Sequence, residues 1–142
     1  KKIWSNEITE AYYQHLPGHA SIFVKLSDKS CMKFHRGFTV LRIEKISEDY
    51  YNEQTTGITD EEEKDENIDS RMTEIPLAKE TKVKEIRDFI KNEVNTVYIE
   101  GINDCYSFST SICLILTDNS KTFNCNFRRF LLSKMRRVSG YK

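Results

Sequence analysis

The chain has 142 residues, of which 38% are hydrophobic and 31% charged, and its 22 basic and 22 acidic side chains cancel to zero net charge. This length and composition suit one globular domain over residues 1–142 and exclude a disordered tail. The zero net charge disfavours a dedicated nucleic-acid-binding protein, and no apolar run approaches the length of a membrane-spanning helix, so no contact with a membrane is expected.

The first third of the sequence predicts a helix followed by an antiparallel meander. Ser5 is placed to cap a helix that runs to Leu16, where Pro17-Gly18 ends it. Alternating apolar residues and tight turns then predict three strands. These are Ala20 to Leu26, a strand marked by Met32 and Phe34, and Phe38 to Ile46.

The stretch from Ser47 to Thr73 is rich in acids and poor in apolar residues. This composition predicts a long, flexible acidic loop, inserted over residues 47–73. It is too long for a simple connection between two elements. It is therefore either functional or an insertion that the fold tolerates at modest entropic cost.

The second half predicts further helices and strands. Thr81 is placed to cap a helix through about Glu93, whose apolar residues recur at helical spacing. The segment Ser111 to Leu116 is apolar at successive positions, which is typical of a strand buried on both faces. The remaining predicted elements are a strand from Asn95 to Ile102, a strand from Lys121 to Phe127, and a closing helix from Phe127 to Val138.

This order predicts an α+β fold with a mainly antiparallel sheet or a small barrel and flanking helices. The stretch Ile86 to Lys91, leading into Thr96 to Gly101, resembles the helix-to-fourth-strand step of an OB-fold barrel. The segment Leu26-Ser27-Asp28-Lys29-Ser30, followed by Phe34, resembles a Leu-Ser-Asp/Asn segment of polo-box domains. The alternatives are therefore an OB-like barrel and a polo-box-like or pleckstrin-like sheet, and neither short likeness identifies a family.

The histidines and cysteines give little indication of catalysis or of metal binding. His15, His19, Cys31 and His35 have spacings that resemble a zinc-finger arrangement. Only one thiolate is available there, however, and Cys31 and His35 fall in a predicted strand, so no metal site and no cofactor are predicted. The cysteines lack the spacing of a disulfide framework, which favours an intracellular location, cytoplasmic or nuclear.

Nucleophile, phosphate-binding and metalloprotease motifs are missing from the sequence, so we expect a protein without enzymatic activity. Every charged residue from Lys121 to Lys142 is basic, which makes the closing helix a candidate binding surface or a solvated amphipathic helix. Candidate binding residues are Arg128, Arg129, Lys134, Arg136 and Arg137, with Tyr98, Tyr106 and Phe108 as exposed aromatics. The first expectation is a binding or adaptor domain for a protein partner within a larger complex. The alternative is an OB-type domain that stacks single-stranded nucleic acid on these aromatics.

Overall fold

The computed structural model describes residues 2–16, 18–37, 40–56, 71–100 and 104–118. These residues form an α+β fold built on a five-stranded antiparallel sheet. A short 3-10 helix, Lys2–Ser5, precedes the sheet. The strands are β1 (Ile8–Leu16), β2 (His19–Leu26), β3 (Cys31–Arg36), β4 (Leu41–Ile46) and β5 (Arg71–Glu74). The helices are α1 (Glu48–Thr56), α2 (Val83–Glu93) and α3 (Cys105–Leu116).

The sheet is open among the described strands, with the order β4-β3-β2-β1-β5. The antiparallel meander expected for the first third of the sequence is confirmed for β2, β3 and β4, because consecutive strands pair along their lengths. The strands β4 and β5 lie at the two ends of the sheet and are not paired with each other in the described ranges. An OB-like closed barrel is therefore not confirmed.

The expected helix from Ser5 to Leu16 is wrong, because most of this segment is strand β1. Its residues pair with β2 on one side and with β5 on the other. Gly18 adopts a φ of 76°, which lets the chain reverse tightly between β1 and β2. The apolar residues at 8, 11, 12 and 16 have helical spacing, but the cross-strand partners decide the conformation.

One face of the sheet packs against α2 and α3 and forms the main core. The predicted helix from Thr81 to Glu93 is confirmed as α2, which begins at Val83 and buries Val83, Ile86 and Ile90. The sheet contributes side chains that alternate along each strand, as expected for one buried face. They include Ala11, Tyr13, Ala20, Ile22, Val24, Met32 and Phe34.

The opposite face of the sheet is partly covered by α1, which corrects the expected loop at 47–73 for residues 48–56. Residues 48–56 form this helix and residues 71–74 form β5, while residues 57–70 lie outside the described part of the chain. Tyr51 is fully buried against Phe23 and Cys31 in a second apolar cluster. One buried aromatic residue therefore anchors a helix that is otherwise polar and acidic.

The expected buried strand at Ser111 to Leu116 is wrong, because this segment belongs to helix α3. The side chain of Asp104 accepts hydrogen bonds from the backbone N–H groups of Tyr106 and Ser107, both at 3.0 Å, and so caps the helix. A short apolar run cannot distinguish a buried strand from a buried helix by periodicity, and this cap decides between them.

The other predicted elements of the second half have different outcomes. The expected strand from Asn95 to Ile102 is not formed over residues 95–100, which follow α2 as turns and extended chain with an isolated bridge at Ile99. The predicted strand from Lys121 to Phe127 and the predicted helix from Phe127 to Val138 lie outside the described residues. No helix in the described ranges is long and apolar enough to cross a membrane.

Candidate functional site

Two of the three aromatics that were expected to be exposed are buried. Tyr106 and Phe108 are each 2% exposed, because they lie on the side of α3 that packs against the sheet and α2. The Tyr106 hydroxyl donates to the carbonyl of Leu16 at 3.2 Å, and the Phe108 ring contacts Phe89. Neither ring is available to stack a base, so the expected exposure of these two residues is wrong.

Tyr98 and the basic residues have different positions. Tyr98 is half-buried, and the Arg36 guanidinium lies 5.7 Å from the centroid of its ring. The remaining predicted binding residues, Arg128, Arg129, Lys134, Arg136 and Arg137, lie outside the described part of the chain.

The sheet separates His15 from the other three residues with zinc-finger-like spacing. His15 lies on the core face, where its ring contacts Tyr106 at a centroid distance of 5.8 Å. His19 and His35 lie together on the opposite face, while Cys31 begins β3 and packs with Tyr51. No group of three His, Cys, Asp or Glu side chains in the described ranges is arranged to hold a metal ion.

The two histidines on the second face form a chain of hydrogen bonds with a carboxylate. His19 Nε2 lies 3.2 Å from His35 Nδ1, and His35 Nε2 lies 3.2 Å from Glu44 Oε2. When both imidazoles are neutral, His35 donates from Nε2 to Glu44, so its Nδ1 accepts a hydrogen bond from His19 Nε2. The partners of each ring therefore determine its tautomer.

Burial favours the neutral form of both rings. It lowers the pKa of His19 from its ordinary value of 6.5, with smaller contributions from His35 and Lys33. Burial also lowers the pKa of His35, with Lys33 and Arg42 acting in the same direction and Glu44 opposing them. Protonation is disfavoured because an imidazolium would be desolvated beside other cationic groups.

Arg36, at the end of β3, joins the sheet to the end of α2. It is 4% exposed, and its Nη1 donates to Glu93 Oε2 at 3.1 Å and to Thr96 Oγ1 at 3.0 Å. Its Nη2 donates to the Thr96 carbonyl at 3.0 Å. A buried guanidinium is stable only when its charge and its N–H groups are satisfied, so these contacts hold residues 93–96 firmly against β3.

A shallow groove of about 290 Å³ opens beside this ion pair. We name it the β4–α2 groove, and it is lined by Arg36, Gly37, Val40, Leu41, Glu93, Val94 and Thr96. Two apolar side chains of the groove are exposed, Val40 at 45% and Val94 at 63%. Two more lie outside the groove: Ile43 in β4 is 37% exposed, and Val97, after α2, is 74% exposed. Large apolar side chains at this exposure are a property of interaction surfaces when they occur together.

Sequence reasoning missed this groove. Val94 follows Ile90 by four residues and so continues the apolar spacing of α2, which suggests a core position. In the structure Val94 is 63% exposed and lines the groove beside Arg36. The groove depends on a contact between Arg36 and Thr96, which are distant in sequence. No local sequence pattern predicts such a contact.

No protein-family model, curated protein or solved structure matches this chain. The function is therefore inferred from the geometry of the described residues alone. Among these, the β4–α2 groove combines concave shape, exposed apolar side chains and a fixed wall. The histidine pair is a second local arrangement of polar groups in the described residues.

Proposed function

We propose that this chain is a non-enzymatic binding domain that holds a protein partner at the β4–α2 groove. The observation that carries the proposal is the exposure of Val40 and Val94 on the two walls of this groove. Burial of apolar surface drives most protein association. A partner that inserts an apolar side chain here would remove both valines from water.

The neighbouring strand suggests how such a partner would bind. In the described sheet, β4 lies at one end and pairs with β3 on one side only. An end strand can extend its hydrogen-bond ladder to an extended peptide, and pockets beside the strand then select the side chains of that peptide. The groove lies where β4 begins, so an added strand would place side chains into it.

The walls of the groove support selective binding. Arg36 and its partners fix residues 93–96 before any partner arrives, which reduces the ordering cost of association. Along β4, the Arg42 side chain is 58% exposed and the Glu44 side chain 38% exposed. Charged side chains on an end strand oppose indiscriminate pairing, so they favour partners with complementary charge.

The alternative function, binding of single-stranded nucleic acid, has less support. Its proposed stacking surface needed Tyr106 and Phe108, and both are buried. An enzyme with a cysteine nucleophile also lacks support, because burial raises the pKa of the Cys31 and Cys105 thiols above the ordinary value of 9.0. A raised pKa keeps these thiols protonated and weakly nucleophilic. The intracellular location, cytoplasmic or nuclear, remains part of the proposal.

Affinity capture with matched variants tests this function. The variant Val40→Asp/Val94→Asp places charge on both walls of the groove, and Leu114→Asp changes a leucine of α3 that is 38% exposed and outside the groove. We expect the unmodified chain and Leu114→Asp to retain a common protein at least tenfold more than the groove variant does. Circular dichroism establishes that the variants are folded.

Two results would contradict the proposal. The first is recovery of the same proteins in the same amounts by all three chains. The second is binding of labelled single-stranded DNA or RNA with an affinity that falls steeply with salt and is unaffected by the groove variant. That second result would favour the nucleic-acid alternative.

A further inference from the structure

Two imidazole nitrogens face each other on the α1 side of the sheet. His19 Nε2 and His35 Nδ1 are 3.2 Å apart, and the planes of the two rings are inclined at 86°. Zinc–nitrogen bonds of about 2.0–2.1 Å in a tetrahedral site place two ligand nitrogens about 3.3 Å apart. We propose that His19 and His35 form a binding site for a borderline divalent transition-metal ion such as Zn²⁺, with water completing the coordination.

The carboxylate of Glu44 gives His35 the orientation of a metal ligand. It accepts a hydrogen bond from His35 Nε2 at 3.2 Å, which leaves Nδ1 with its lone pair directed towards His19. Histidine ligands almost always donate their second ring N–H to a carboxylate, a carbonyl or a water. Such a partner fixes the tautomer and increases the basicity of the ligating nitrogen.

Binding of the metal ion at this pair releases no proton from the protein. In the free protein, the hydrogen on His19 Nε2 is donated to His35 Nδ1. When the ion binds, both of these nitrogens donate lone pairs to it, and His19 carries its hydrogen on Nδ1 instead. The ion therefore replaces the shared hydrogen, while His35 keeps its hydrogen bond to Glu44.

The two ligands are held by neighbouring strands. His19 begins β2 and His35 lies in β3, where it is the cross-strand partner of Ser21. Because side chains alternate along a strand, His19 and Ser21 lie on the same face of the sheet, and His19 is therefore diagonal to His35. Paired strands hold ligands more precisely than loops do, so the short nitrogen–nitrogen distance is maintained.

This site differs from the zinc-finger-like arrangement, since it uses neither His15 nor Cys31. No third His, Cys, Asp or Glu ligand accompanies the pair among the described residues. Lys33 and Arg42 also lie close enough to act on the charge of His35. Two protein ligands beside cationic groups predict weaker binding than in a structural zinc site, with coordination positions open to water or another ligand.

Calorimetric titration of the full chain with Zn²⁺ tests the proposal. We expect one equivalent to bind, with His19→Ala and His35→Ala each weakening the affinity at least tenfold. Glu44→Gln should weaken it about tenfold, because Glu44 orients a ligand and does not coordinate the ion. Lys84→Gln is the control, since it removes an exposed charge from α2 on the other face of the sheet, and its affinity should stay within threefold of the unmodified chain.

Equal Zn²⁺ affinity in the double variant His19→Ala/His35→Ala would overturn the proposal, as would no binding by the unmodified chain at millimolar Zn²⁺. If a variant fails to fold, nitrogen-15 NMR of the unmodified chain gives an independent result. Zn²⁺ should shift the resonances of His19 Nε2 and His35 Nδ1 and leave those of His15 unchanged. Shifts confined to His15, or none at all, would contradict the site.

Discussion

Arg36 and Glu93 form an ion pair with a distance of 3.1 Å between β3 and the end of α2, and the Arg36 side chain in it is only 5% exposed. The same guanidinium also holds the backbone of Thr96. These contacts hold the end of α2 against β3, while Val83, Ile86 and Ile90 pack the rest of the helix into the core. They contribute to the stability of this corner and form part of the β4–α2 groove.

Removing the carboxylate of this pair should destabilise the fold. Glu93→Ala leaves the buried Arg36 charge with fewer partners, and we expect a loss of about 1–3 kcal/mol in the free energy of unfolding. Urea denaturation measures it. Lys91→Ala, at an exposed position on the same helix, should change stability by less than about 0.5 kcal/mol. Equal losses in the free energy of unfolding for the two substitutions would show that the ion pair does not stabilise the fold.

The helical state of residues 105–116 depends on Asp104. Asp104→Ala removes the side chain that accepts from the backbone of Tyr106 and Ser107, and we expect a loss of about 1–2 kcal/mol. Denaturant titration gives the loss, and hydrogen exchange should show faster opening of the first turn of α3. Asp88→Ala, at an exposed position on α2, is the control. No difference between the two variants would contradict the cap.

The hydrogen bond of the Tyr51 hydroxyl should make a measurable contribution to the stability of the fold. Its hydroxyl donates to Glu10 Oε1 at 2.9 Å, and burial raises its pKa, so the hydroxyl stays protonated. Tyr51→Phe should lower the free energy of unfolding by about 1 kcal/mol. Tyr50→Phe alters a tyrosine that is 39% exposed and should have almost no effect. Chemical denaturation compares the stabilities of the two variants. If Tyr51→Phe leaves the free energy of unfolding unchanged, the hydrogen bond to Glu10 is not formed in solution.

Stability should decrease as the pH falls below about 7 because of His19 and His35. Both pKa values are lowered in the folded state from the ordinary value of 6.5, so the unfolded chain binds more protons between the folded values and 6.5. Stability from this source is complete above that window and is lost as the pH falls through it. Unfolding measured from pH 7.5 to 5.5 should show a shallower slope for His19→Gln/His35→Gln. An unchanged slope would exclude the pair as the cause.

The sequence predicts those elements in which local pattern and tertiary contacts agree. In the strand ending at Leu26, apolar residues recur at every second position (Ile22, Val24 and Leu26), and α2 has a regular apolar stripe, so the sequence predicts the correct type for both. For residues 8–16 and 111–116 the sequence predicts the wrong type. In β1 the partners on both sides override a helical spacing, and in α3 a single aspartate cap outweighs an ambiguous apolar run.

The candidate sites were less predictable than the fold. The sequence groups His19 and His35 with His15 and Cys31 in a zinc-finger-like spacing. Only strand pairing shows that His19 and His35 meet and that His15 faces the core. The β4–α2 groove brings Val40 together with Val94, which are far apart in sequence. Such contacts arise from the packing of α2 on the sheet, and no local motif predicts them.

Hydrogen–deuterium exchange with the protein partner recovered by affinity capture tests the central claim most directly. If the partner binds at the β4–α2 groove, amides of Leu41–Ile46 and of residues 93–96 should exchange more slowly in the complex, while amides of α1 and β5 should be unchanged. The groove variant Val40→Asp/Val94→Asp should show no such protection. Protection confined to surfaces away from β4 and the end of α2 would contradict the proposed docking site.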